Sequence, residues 1–414
     1  MPGGAVRERR GAVRARTVVA LIAVVLVLAL CAGNGAAAQE RTQQGAPNSP
    51  KIDAGAWALE DTETGLYLAG ENPDKRMPIA STTKIMVALI ALERGVDLDE
   101  EVTISDQAER FVGSVYSNVG LISGERLSVR ELLIASLVPS GTDADYALAE
   151  HLGGGGGKAG VENFVGEMNR KAKSMGLENT HFENPAGLDA SEHYSSARDL
   201  AEIARAAMEY PEFREIVDTE TATISTQSRE IEVYNTNNLL YTYGPAIGVK
   251  TGTSPEGGAS LVAAAKEGDE SYIAVVLDAN GDQYRFTAAQ KALDFGFADY
   301  EREALVRKGK VYEKVGLPFR REESVGLAAA EDVPGLVGPG LQVERRETTQ
   351  EAPPEARAGE ELGTVEVLVD EKSVGNAPLV TEKGYEAASV WQKIRYWTSG
   401  AVMSVSGWVS GLTS

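Results

Sequence analysis

Strand-like and helix-like patterns are segregated along this chain in one order, and that order is the tightest constraint on what it can fold into. From Ile52, "GAWALEDTETGLYLA" reads as two short alternating runs on either side of a turn at Thr62 to Thr64. Strand patterns return only far downstream, in "AIGVKTG", "GASLVAAAKEG" and "SYIAVVLDA". Between them lie helical periodicities, "TTKIMVALIALERG", "SVRELLIASLV", "DADYALAEHLG", "VENFVGEMNRKAKSMG" and "SARDLAEIARAAMEY", each bounded by Gly, Pro, Ser or Asn. A last helix, "YRFTAAQKALDFGFADY", closes the region. Strands at both ends with helices between predict an α+β domain over 52–302 whose sheet is assembled from its two termini.

The texture changes after that. "KVYEKVGLPF", "SVGLAAA", "LQVERRE" and "LGTVEVLVD" are short alternating runs parted by Gly, Pro and charge, the pattern of a small all-β domain over 303–384. At the other end, Arg7, Arg9, Arg10, Arg14 and Arg16 precede an uncharged apolar run from Thr17 to Leu30 and the small residues Ala36 to Ala38, so residues 1–38 read as a secretory signal peptide. A lipoprotein signal at Cys31 is disfavoured by Leu30, where a small residue is expected. Residues 39–51 form a polar leader without periodicity, expected to be disordered. Loss of 1–38 removes the only cysteine, so the exported chain holds its shape without disulfides and needs a sizeable core. It also takes the formal charge from −21 to −25, which excludes nucleic acid and other polyanions as partners.

The tail, 385–414, repeats Val390, Trp391, Ile394, Trp397, Ala401, Val405, Trp408 and Leu412 at mostly three or four residues, one apolar stripe with three of the four tryptophans. An amphipathic helix lying in a membrane interface fits best. A spanning helix and a helix packed on the β domain remain open.

The chemistry begins at "IASTTK", where Ser81, Thr82 and Thr83 precede Lys84. A serine hydroxyl needs a base within hydrogen-bond reach, and lysine serves when burial or a second cation favours its neutral form. Residues three apart share a helix face, so Ser81 stands with Lys84 while Thr82 and Thr83 point elsewhere and are expected to be structural. Downstream, "PSGTDA" places Ser140 and Thr142 on what reads as a tight exposed turn between two helices, and "VKTGTS" places Lys250, Thr251, Gly252 and Thr253 at the end of an apolar strand. Alone, Lys250 reads as a solvated strand end sooner than as a site residue.

The order Ser-x-x-Lys, Ser-x-polar, Lys-Thr-Gly resembles the penicillin-recognising serine enzymes, and the chain looks like a low-molecular-mass penicillin-binding protein of the serine-type D-alanyl-D-alanine carboxypeptidase family. "MGLENTHFENPAGLD", "SARDLAEIA" and "NTNNLL" are also similar to stretches of that family. The resemblance implies a transpeptidase/β-lactamase-like domain, then a β-rich domain and an amphipathic membrane anchor. It implies that Ser81 attacks the D-Ala-D-Ala carbonyl, Lys84 takes its proton and Ser140 relays a proton to the leaving D-alanine. Lys250, with Thr251, Gly252 and Thr253, would hold the substrate carboxylate and the network, and Lys250 would supply the charge that favours neutral Lys84. The backbone N–H groups of Ser81 and Thr253 would form the oxyanion hole. Arg285 resembles an arginine that binds the terminal carboxylate, or is a helix-surface charge. The implied partners are the peptidoglycan stem peptide, β-lactams as covalent inhibitors and the membrane surface, with no cofactor, at the outer face of the cytoplasmic membrane. Thr142 departs from the pattern, which has Asn there. Threonine offers one hydroxyl where Asn has both a carbonyl and an NH2 group, so a bond from Lys84 and a bond to the substrate amide cannot both be replaced in kind.

Competing readings are weaker. "LGGGGGKAG" has Leu152 and Ala159 where a phosphate loop requires Gly and Ser or Thr. His151, His181 and His193 are scattered, so no metal site is expected. A β-lactamase of class A would need Glu-x-x-x-Asn, which does not occur. A catalytically weak wall-binding protein remains an alternative because of Thr142.

Overall fold

The structure is a computed structural model and describes residues 46, 48–111, 113–154 and 156–398. The signal peptide, Cys31, most of the leader and the tail beyond 398 lie outside the described residues. Of the leader expected to be disordered, Ala46 is buried and its carbonyl accepts the N–H of Ser49.

The alternating runs at both ends of the first region form one antiparallel sheet. Strands β1 (Ala54–Asp61) and β2 (Tyr67–Glu71) make the opening hairpin. The chain then runs through α1 (Lys84–Glu93), a small hairpin of β3 (Glu101–Thr103) and β4 (Arg126–Ser128) enclosing the short α2 (Asp106–Glu109), and helices α3 (Val129–Leu137), α4 (Thr142–Leu152) and α5 (Gly157–Ser174). Helices α6 (Ala197–Met208) and α7 (Pro211–Val217) lead to a hairpin of β5 (Thr221–Ser225) and β6 (Glu230–Tyr234), absent from the sequence reading, and to a single turn, α8 (Leu239–Thr242). Strands β7 (Ala246–Ser254), β8 (Gly258–Glu267) and β9 (Glu270–Ala279) complete the sheet in the order β2-β1-β9-β8-β7. Helix α9 (Tyr284–Asp299) follows.

Strand periodicity divides the sheet between two cores. On β1, Ala56 and Ala58 face the core shared with the helices, while Trp57 and Leu59 face the other; on β9, Ile273, Val275 and Leu277 alternate in the same way with Ala274 and Val276. Helix α9 and the C-terminal strands cover the second face. Helix α1 is buried on every side from Lys84 to Leu92, as expected of a helix apolar all round. That burial carries Lys84, at its first position, into the middle of the molecule.

The C-terminal region is all β, as its alternating runs indicate. Strand β10 (Glu301–Val306) pairs with β13 (Val333–Val337), and β11 (Val311–Gly316), β12 (Ser324–Ala329), β14 (Val343–Thr349), β15 (Glu361–Val369) and β16 (Lys372–Thr381) form a second sheet in the order β11-β12-β16-β15-β14. Strands β13 and β16 escaped the sequence reading because Pro334, Gly375 and Pro378 interrupt their alternation. Arg302 reaches back to Asp61 at 2.6 Å, Tyr300 Oη donates to the carbonyl of Leu68 and Lys372 to that of Gly65, tying this region to the first hairpin. Residues 390–398 are helical, with Trp391 and Trp397 79% and 69% exposed. Among the described residues no helix is long and apolar enough to cross a membrane.

Candidate active site

Ser81 does not lie in the α-helix that Lys84 opens. It sits in a 3-10 turn, Ala80–Thr83, directly before it. In 3-10 geometry residues three apart eclipse, so the same-face relation of Ser81 and Lys84 is tighter than α spacing gives. The two threonines are occupied within the turn. Thr82 Oγ1 donates to the carbonyl of Ile79 at 2.7 Å and Thr83 Oγ1 to that of Ala80 at 2.8 Å, both buried, while Ser81 keeps partial exposure. Ala80 has φ +45°, a left-handed conformation that L-residues adopt where surrounding structure imposes it.

Two neighbours impose it. Gly187, itself at φ +84°, lies so close to the turn that a Cβ there would fall 1.8 Å from the carbonyl oxygen of Ala80. The loop carrying it is held by Asn184 Oδ1, which accepts the N–H groups of Ala186, Gly187 and Leu188. His193 lies 2.8 Å from Thr83 Oγ1 and accepts the Glu183 N–H on Nδ1; burial pushes its pKa down to about 4, so the ring is neutral. On the other side, a Cβ on Gly252 would fall 2.9 Å from the Ile79 carbonyl, so only glycine lets β7 approach the turn this closely.

The second motif differs from expectation in exposure. Ser140 (φ +68°) and Thr142 follow the end of α3 but are 4% and 2% exposed, not displayed on a free turn. The segment between α2 and β4 covers them: the carbonyl of Ser117 accepts the Thr142 N–H, and the Asp143 carboxylate accepts those of Val119 and Leu121. The third motif is also more enclosed than a strand end. Lys250 lies within β7, opposite Val262, 1% exposed, with Nζ donating to the carbonyl of Thr251. Thr251 Oγ1 is 2.6 Å from Thr236 Oγ1, whose residue donates its N–H to the Val138 carbonyl, so the second and third motifs are joined. Arg285 on α9 donates to Thr253 Oγ1 at 2.6 Å and to the Gly252 carbonyl at 3.0 Å; it faces the motif and is no free surface charge. Its buried Nε has no hydrogen-bond partner among the described residues.

One group in this cluster went unnoticed in the sequence. Asp145 on α4 is fully buried and forms an ion pair with Lys84, its other oxygen accepting from Ser136 Oγ at 2.5 Å. Burial pushes its pKa up to about 6 despite Lys84 and Ser136. Burial, and then the charge of Lys84, pushes Lys250 well below the usual lysine range. One buried carboxylate thus pairs with Lys84 and lies within the electrostatic reach of a second buried lysine, Lys250.

A serine and lysine at a turn–helix junction, between a helical layer and the edge strand of a five-stranded antiparallel sheet that carries Lys-Thr-Gly, define the class of penicillin-recognising serine enzymes. Comparison with known proteins narrows this. The family model of D-alanyl-D-alanine carboxypeptidases matches residues 42–281. The chain is 39% identical over 263 residues to the D-alanyl-D-alanine carboxypeptidase of a Streptomyces strain, covering 61% of this chain and 90% of that one. It is 32% identical over 347 residues to D-alanyl-D-alanine carboxypeptidase DacF of Bacillus subtilis, covering 81% and 87%. Among solved structures, penicillin binding protein 5 of Haemophilus influenzae matches with a TM-score of 0.64 at 31% identity, over 82% of this chain and all of that one. The chain belongs to the D-alanyl-D-alanine carboxypeptidase family, serine peptidases that bind penicillin.

Proposed function

We propose that this protein removes the terminal D-alanine from peptidoglycan pentapeptide stems through an acyl-enzyme on Ser81. The observation that carries the assignment is the convergence on one turn of Ser81, Lys84 and the Lys250 strand from separate parts of the sequence, with Lys84 tied through Asp145 to the helix that carries the second motif. Lys84 takes the Ser81 proton as Oγ bonds to the penultimate D-alanine's carbonyl carbon, and the backbone N–H groups of Ser81 and Thr253 stabilise the oxyanion. Ser140 passes the proton to the departing amine. Lys250, Thr251, Thr253 and Arg285 bind the terminal carboxylate, with Gly252 giving it room against the strand and Thr142 lining the substrate groove. Water then attacks the ester.

The envelope is the place for such a substrate. An exported protein resting on the outer face of the cytoplasmic membrane through the 385–414 helix fits the exposed Val390, Trp391 and Trp397. The C-terminal β region then stands between anchor and site. A vesicle-flotation assay of the full chain and of a variant ending at 384 tests the anchor, with equal flotation counting against it.

Activity is tested by D-alanine release from diacetyl-Lys-D-Ala-D-Ala. Turnover supports the carboxypeptidase, labelling by penicillin without turnover supports a wall-binding protein, and fast penicillin hydrolysis supports a β-lactamase. A Ser81→Ala protein that still takes labelled penicillin would defeat the assignment.

A further inference from the structure

Before the Lys84 amine can take a proton from Ser81, any proton it carries must be placed elsewhere. Lys84 is fully buried, and the partner of its Nζ is the equally buried Asp145. Asp145 follows Thr142 by three residues on α4, so the helix that carries the second motif also delivers a carboxylate to the first. Lys84 from α1 and Ser136 from α3 bond that carboxylate, and Lys250 from β7 and the phenol of the adjacent Tyr146 on α4 are the further titratable groups that interact with it electrostatically. Desolvation opposes both charges of a Lys–Asp pair and neither group of its neutral form, so in such a site the two forms approach each other in energy.

We infer that Asp145 is the positioning residue of the base, anchoring Lys84 Nζ and holding the proton that Lys84 sheds to become a free amine. The inference rests on the reading of Ser81 as nucleophile and Lys84 as its base. In the resting enzyme the ammonium transfers one proton to Asp145 Oδ2, leaving a lone pair on Nζ. As Oγ of Ser81 bonds to the carbonyl carbon, its proton passes to that lone pair and the carbonyl π pair moves to oxygen. When the C–N bond breaks, the proton goes on through Ser140 to the leaving amine, and Lys84 is again neutral beside a protonated Asp145. The position of the Asp145 carboxyl, near neutrality through burial, agrees with this shuttle.

The test is the pH profile of acylation of the full-length protein by a fluorescent penicillin. The wild-type rate is expected to fall below about pH 6, where Asp145 already carries a solvent proton and has no place for another. Asp145→Asn keeps the shape but accepts no proton. Its rate is expected to drop at least tenfold at pH 7 through loss of the Nζ anchor, and its acid limb should move below that of the wild type, because a buried Lys84 without a counter-charge beside Lys250 favours the neutral amine. A wild-type profile in Asp145→Asn, or a loss of equal size at every pH, overturns the inference; the latter would mark a packing role. Ser136→Ala is the gentler variant if Asp145→Asn does not fold. Removing a donor to the ionised carboxylate raises its pKa, so the acid limb should move up by about one pH unit. A limb that stays in place overturns the inference as well. Ser81→Ala labelling decides the underlying assignment separately: if it is unlabelled while Asp145→Asn keeps the wild-type profile, only this inference fails.

Discussion

Asp61 and Asp145 are both fully buried carboxylates paired with a cation, and they are partnered in opposite ways. Asp61, at the end of β1, accepts from Arg302 at 2.6 Å and from both the N–H and the hydroxyl of Thr64, and Arg302 holds Glu63 as well. Asp145 has Lys84 and Ser136, and Lys84 competes with the nearby Lys250. Arginine is planar and permanently charged, whereas a buried lysine exchanges its proton readily. The first pair therefore fixes where β10 meets the opening hairpin, and the second leaves a proton free to move. Burial of a charge pair is common to both; what separates scaffold from chemistry is whether the cation can become neutral.

The largest effect that could break this contrast is at Lys84. Lys84→Met should lower penicillin acylation by roughly 10³-fold, within the range for loss of a general base. Its stability loss should shrink as pH falls, because the stranded Asp145 then takes up a proton that the unfolded chain does not bind. Denaturant unfolding at pH 8 and pH 5 measures this, and an equal loss at both would place Asp145 with Asp61. Arg302→Met should behave the other way, destabilising by about 3–5 kcal/mol through an uncompensated buried carboxylate, with acylation per folded molecule unchanged. A fall in acylation would mean that the hairpin junction reaches the site.

His193 lies between these extremes, buried under the nucleophile turn but bonded like a scaffold residue. Its pKa is about 4 folded against 6.5 unfolded, so the unfolded chain binds the extra proton between those values. The stability is fully present above about pH 6.5 and is lost as pH falls toward 4, to the extent of about 3 kcal/mol. His193→Gln should flatten that part of the stability–pH curve, as read by thermal unfolding across pH 4–7. An unchanged slope would assign the acid sensitivity to another group.

What was legible in the sequence was what short spacing encodes. Ser81 and Lys84 are three residues apart, and helix geometry alone separated them from Thr82 and Thr83, which turn out to serve the turn's own backbone. Near-continuous apolar runs marked the central strands because both faces of the sheet are apolar. Asp145 could not be picked out by spacing, since its partner lies 61 positions away. The enclosure of Ser140 and Lys250 was hidden for the same reason: the covering groups, Ser117, Val119 and Thr236, come from segments whose position depends on the whole fold. Asn184 and Gly187 lay within a quoted stretch, but nothing in their spacing points to the Ala80 carbonyl.

The smallest expected effect sharpens the comparison most, because it concerns Thr142, one helical turn from Asp145. An asparagine side chain at this position would offer an acceptor toward Lys84 and a donor toward the substrate amide. If Asp145 already anchors Lys84, the acceptor is redundant and only the substrate contact is gained, so Thr142→Asn should raise D-alanine release by no more than a few-fold, chiefly through KM. In Asp145→Ala the same substitution should matter more, since Lys84 then lacks its anchor and the introduced amide can supply one. The two substitutions would be non-additive, as neighbours sharing a partner are. Additive effects on kcat/KM across the four proteins would show that Asp145 and residue 142 do not serve the same lysine.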